Sequence, residues 1–131
     1  MGISPKQFKQ LQERASGKRR ASSTALPAAK PTVDQIILGI DPSLRGTGFG
    51  IIELARPVHK TLAQGTIKCP PAWEKSRCLA LIAQSLRDKI KEFAPTVCVI
   101  EGLFFAQNLK TALTMGEARG AALVAAAEAG L

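Results

Sequence analysis

At 131 residues and 46% hydrophobic content the chain is one domain with enough apolar material for a core. Its 18 lysines and arginines against 10 acids leave a net charge of +8, which suits an anionic partner such as nucleic acid, or basic solubility alone. Three cysteines with no C-x-x-C pair and a single histidine suggest neither a disulfide framework nor a zinc site, so a reducing, cytoplasmic setting is expected. No run of about 18 apolar residues is available to span a membrane, and the N-terminus has no apolar leader.

In chain order, Ser4-Pro5-Lys6-Gln7 reads as a capping box with proline at the first helical position, predicting a short helix over residues 5–15. The following SGKRRASSTALPAAKPT has linker composition. Residues 1–34 are therefore expected to be a basic flexible arm ahead of a domain over residues 35–131. Residues 1–35 hold seven lysines and arginines against two acids, a net +5, and the rest of the chain only +3. A phosphate-binding tail and a solvated extension explain that arm equally well.

Ile36–Ile40 is a continuous apolar run, the pattern of a strand buried on both faces. Thr47–Leu54 and Leu62–Lys68 predict two more strands, joined by short connections into an antiparallel meander. After Pro70-Pro71, Leu79, Ile82, Leu86, Ile90 and Phe93 recur at helical spacing up to Ala94-Pro95, where proline stops the helix. Val97–Ile100 is a short buried strand, placed after a crossover helix and so expected to pair parallel with the first. Asn108 to about Ala127 is helical, with Ala112, Gly116 and Gly120 forming a flat strip that either a second helix or the chain's own sheet can approach.

Two carboxylates each follow a buried strand, Asp41 after IILGI and Glu101 after VCVI. A charge at such a place needs a partner or a metal. If the strands are parallel neighbours their ends lie roughly 5 Å apart, and two oxygen ligands there suit Mg²⁺ or Mn²⁺. Either acid alone reads as a helix cap or a turn residue; the pairing favours metal. Gly46, Gly48 and Gly50 permit a tight turn, and they also resemble the first phosphate loop of actin-like and sugar-kinase ATPases. Phe104 and Phe105 follow Glu101 and are either core or stacking platforms for unpaired bases. Lys110 and Arg119 either face phosphate or are solvated.

ILGIDPSLRGTGFGII followed by IEGLFFAQNLKTALTMGEARGAALVAAA resembles the RuvC-type Holliday junction resolvases, endonucleases of the RNase H-like α/β fold, from about Ile36 to the last residue. The resemblance implies a mixed sheet with flanking helices and a homodimer. It implies a four-way DNA junction as substrate, branch-migration motor proteins as partners, and Mg²⁺ or Mn²⁺ as cofactor in phosphodiester hydrolysis. Asp41 matches the family's first-strand aspartate, Glu101 its glutamate at the end of the fourth strand, and Phe104 the aromatic that inserts at the junction centre. Asn108, Lys110 and Arg119 fall in the family's NxxTALxxGxARG helix as nucleic-acid-binding candidates. Gln107 stands where lysine is common, which removes one phosphate-directed charge. The family pattern goes on to a fifth strand and a helix with two further acidic positions, which are absent from this chain. The resemblance thus implies half the acidic ligand set, and with it an expectation that the 131 residues bind junctions weakly without cutting them. The alternative function is a non-catalytic junction-binding or dimerisation module.

Overall fold

The computed structural model describes residues 35–102 and 108–131; the expected helix over residues 5–15 and the basic arm lie outside them. Four strands form one sheet: β1 (Gln35–Asp41), β2 (Gly46–Leu54), β3 (Lys60–Lys68) and β4 (Val97–Ile100). Their order is β3-β2-β1-β4. Two helices accompany them, α1 (Lys75–Phe93) and α2 (Leu109–Glu128).

The meander expected from the short connections forms. β1 pairs antiparallel with β2, from Gln35 opposite Leu54 to Asp41 opposite Gly48, and β2 pairs antiparallel with β3. A chain leaving β3 through a 19-residue helix can return in the same direction as β1, and β4 does so, with Ile37 opposite Val97 and Ile40 opposite Ile100. Proline ends α1 as expected. Ala94 turns into the left-handed region at φ 46° while its N–H still bonds the Ile90 carbonyl at 2.9 Å, and Pro95 follows.

The apolar side chains of alternate strand positions meet the buried stripe of each helix. Leu38, Ile40 and Ile51 from the sheet pack with Cys78, Ile82 and Leu86 of α1 and with Ala118, Ala122 and Ala125 of α2. Each large aliphatic in that cluster contributes about 1.5–3 kcal/mol by leaving water. The alanines of α2 contribute less area and instead let α1 approach closely. Exposed ion pairs cross the same helix interface, Lys75 to Glu117 at 2.9 Å and Arg87 to Glu128 at 2.6 Å.

One expectation is revised. The run at β1 reads as a strand buried on both faces and that at β4 as a short buried strand, yet only Leu38 and Ile40 of β1 are buried, and Val99 of β4 is 57% exposed. Among the described residues both helices cover the Leu38–Ile40 face. The opposite face holds half-buried Ile37 with exposed Ile52 and Val99.

Ala94 gives a direct stability test. An L-residue in the left-handed region costs roughly 1–2 kcal/mol that glycine avoids, partly offset by glycine's larger unfolded-state entropy. Ala94→Gly is expected to stabilise the fold by about 0.5–1 kcal/mol, read as a rise in urea midpoint at unchanged slope; a lower midpoint would show that the cap is not strained.

Candidate metal and nucleic-acid site

The parallel ladder decides where the two acids stand. Asp41 is the last residue of β1, and the paired register ends one residue earlier, at Ile40 opposite Ile100. The Glu101 N–H donates to the Ile40 carbonyl at 2.9 Å, so the chain keeps one more ladder bond after β4 is over. Asp41 and Glu101 therefore occupy adjacent strand ends, on backbones about 4.8 Å apart. Both residues are exposed. Together the two carboxylates offer oxygen atoms to a hard divalent cation that keeps several of its waters. Among the described residues, no group of three or more His, Cys, Asp or Glu side chains comes together to close a ligand cage.

The turn behind Asp41 is fixed from inside. Thr47 is fully buried, and its hydroxyl donates to the Ser43 carbonyl at 2.7 Å while accepting from the Ser43 N–H at 3.3 Å. Leu44, 7% exposed, anchors the same turn in the core. Gly48 and Gly50 lie within β2, as the expected strand over Thr47–Leu54 has them, and Gly46 begins it. A side chain at Gly48 would come within 3.6 Å of the Asp41 Cβ. Gly39, Gly48 and Gly50 leave the sheet face beside Asp41 bare, forming an open groove of about 670 Å³ with Gln64 and Thr66 along it.

Arg45 carries no motif signal in the sequence, yet it ties this turn to the start of α1. Its Nη1 donates to the Pro70 carbonyl at 2.7 Å, to the Trp73 carbonyl at 3.1 Å and to Cys78 Sγ at 3.1 Å. Arg77 lies 3.7 Å over the Trp73 ring, and Trp73 packs against the core just before the helix. Beside this clamp the Cys69 thiol is pushed up from its usual range, first by burial and then by its hydrogen-bonding contact with Cys78. These contacts span 25 to 33 residues, which no local pattern reveals.

Phe104, Phe105 and Gln107 lie outside the described residues. Asn108 caps α2, its side-chain oxygen accepting from the Thr111 N–H at 2.9 Å. Lys110 is exposed in the first turn of that helix. Arg119 donates from Nε to the Glu101 backbone carbonyl at 3.3 Å. Opposite the alanine face, α2 presents Leu109 and Leu113, 75% and 58% exposed, then Leu123 and Val124, with Gly116 and Gly120 between them.

Residues 37–131 match the family described as Crossover junction endodeoxyribonuclease RuvC. The chain is similar to the RuvC crossover junction endodeoxyribonuclease of Bordetella avium, 43% identical over 95 residues that make up 72% of this chain and 52% of that protein. It is likewise similar to that of Akkermansia muciniphila, 39% identical over 95 residues, 72% of this chain and 57% of that protein. Among solved structures, T. thermophilus RuvC in complex with Holliday junction substrate superposes with a TM-score of 0.69 at 28% identity, covering 73% of this chain and 59% of that one. The chain spans about half the length of the curated relatives it matches.

Removing the Arg45 donors while keeping an apolar stem tests the clamp. Arg45→Met is expected to cost about 1–3 kcal/mol, the range for hydrogen bonds from a charged donor, and to speed labelling of Cys78 by a thiol reagent. An unchanged melt with unchanged labelling would show that the clamp does not hold the helix start.

Proposed function

The chain belongs to the RuvC family of crossover junction endodeoxyribonucleases, and on that footing we propose that it acts on four-way junction DNA in metal-dependent phosphodiester hydrolysis during recombination and repair. The observation that carries this reading is the placement of Asp41 and Glu101 side by side at the ends of β1 and β4. Exposed carboxylates on a bare sheet face leave room for a phosphodiester, and their pairing fits Mg²⁺ or Mn²⁺ by charge and by oxygen donors. Such an ion, when bound, supplies Lewis-acid activation of a water and steadies the leaving 3′ oxygen.

The chain's own residues hold and orient. Asp41 and Glu101 hold their oxygens on one side of the scissile phosphate, and the Thr47–Ser43 bonds keep the Asp41 turn from moving. Lys110 supplies positive charge for the DNA backbone, and Phe104 is the stacking residue at the opened junction. The net +5 of residues 1–35 adds a sequence-independent attraction whose strength falls with salt. The exposed Leu109–Leu113–Leu123 stripe of α2, with glycines between, supports a homodimer, and a second copy is the occupant we assign to it. A two-fold dimer places two acid pairs on a four-way junction, one for each strand to be nicked. Branch-migration motor proteins are the partners, and the cytoplasm the setting, that the family reading brings with it.

A second reading, a non-catalytic junction-binding or dimerisation module, is favoured by one observation: the described residues bring together only two carboxylates. Cleavage and binding assays separate the two. We expect a labelled four-way junction to be bound at least about tenfold, or about 1.4 kcal/mol, more tightly than linear duplex. We expect nicking in Mg²⁺ once the chain is joined to the second half of a relative. Asp41→Asn in that fusion should abolish nicking and leave binding intact or tighter, because a repelling charge is gone. Binding without nicking by the fusion would establish the second reading, and nicking by the 131-residue chain alone would show that two carboxylates suffice.

Self-association has its own test. Leu113→Glu lies in the exposed stripe, so it should change folding stability by no more than about 0.5 kcal/mol while moving the sedimenting species from dimer to monomer. A dimer that survives the charge would place the interface elsewhere.

A further inference from the structure

In a parallel ladder each bridging residue donates its N–H to one neighbour-strand carbonyl and accepts, at its own carbonyl, from the N–H two residues further along. The Glu101 N–H donates to the Ile40 carbonyl at 2.9 Å, so the donor that would complete the pattern at the Glu101 carbonyl is residue 42. Residue 42 is proline, which has no N–H. The ladder thus stops at the residue that carries the second acid, and the Glu101 carbonyl would be free to swing away from β1. Arg119 Nε donates to that carbonyl at 3.3 Å. Its backbone is well anchored for this, because Ala118 before it and Ala122 one turn later are both fully buried.

We infer that Arg119 is a positioning residue that fixes Glu101 against Asp41 by supplying the ladder donor that Pro42 cannot. The inference rests on the reading of Asp41 and Glu101 as a metal pair, and it gives Arg119 a role distinct from contacting phosphate. Held at its N–H by β1 and at its carbonyl by α2, the Glu101 backbone has its two polar groups tied to two different elements. The carboxylate spacing then follows from the sheet register and from the seat of α2 on the core.

The test reads the backbone of Glu101 separately from the metal. In Arg119→Met, amide hydrogen exchange at Glu101 should quicken about tenfold, and Mn²⁺ affinity by titration calorimetry should weaken several-fold. Pro42→Ala in that background restores an N–H at residue 42 and should slow the exchange again and recover the affinity. Arg119→Lys, which keeps a donor and a charge, is the variant to use if the methionine variant does not fold, and it should fall between parent and methionine. Unchanged exchange at Glu101 overturns the inference. A lowered junction affinity with a log–log salt slope reduced by about 0.9 and unchanged exchange overturns it in favour of a phosphate contact. Asp41→Asn is the control for the pair itself: if Mn²⁺ affinity does not respond to it, the metal reading fails while the exchange data still decide the role of Arg119.

Discussion

The parallel pairing of β1 with β4 is the constraint on which the site depends. An antiparallel partner would place the carboxyl end of one strand beside the amino end of the other, and Asp41 and Glu101 would stand at opposite edges of the sheet. The parallel register from Ile37 opposite Val97 to Ile40 opposite Ile100 brings both to one edge. That register needs a long return path, which α1 provides, and a core for α1 to pack on, which Leu38, Ile40 and Ile51 provide. The catalytic reading is therefore tied to core packing: a one-residue slip of β4 would turn Val99 inward and carry Glu101 out of line with Asp41.

The sequence makes the elements legible where one residue type dominates a local pattern. The β4 bounds are those expected, because VCVI is short, β-branched and bracketed by Thr96 and the acid. The start of α2 falls where the helical run from Asn108 is expected, and the end of α1 follows from Ala94-Pro95. Burial is read less well, since an apolar run does not say how many faces are covered. Ile37 and Val99 are as apolar as Leu38, but their face of the sheet is not packed by α1 or α2. Gly48 and Gly50 lie in the expected strand and keep the face beside Asp41 clear, while Gly46, expected in the turn, begins that strand.

What the sequence hides is the set of long-range polar contacts. Arg45 sits among residues that read as a turn, and its partners at Pro70, Trp73 and Cys78 come into range only once β3 has run back along β2. Asn108 and Arg119 stand out as candidates for the nucleic-acid face, and both are found making contacts inside the fold, one as a helix cap and one at the Glu101 carbonyl. Such contacts do not exclude a DNA role, since guanidinium and amide groups have several donors. They do mean that substituting either residue disturbs the site's own geometry before it disturbs any ligand.

α2 joins these threads, because three of its faces do three different things. Ala118, Ala122 and Ala125 seat it on the core, Arg119 on its flank reaches the second acid, and the leucine stripe faces outward. Short alanines at the contact let the two helices pack closely, and the Lys75–Glu117 and Arg87–Glu128 pairs tie the same interface at its edges. The leucine stripe and the donor to the Glu101 carbonyl thus lie on one helix. In a dimer built on that stripe, the spacing of each acid pair and the relation between the two pairs would be set by one helix in each copy. An error in the seat of α2 on the core would therefore displace both the Glu101 contact and the exposed stripe.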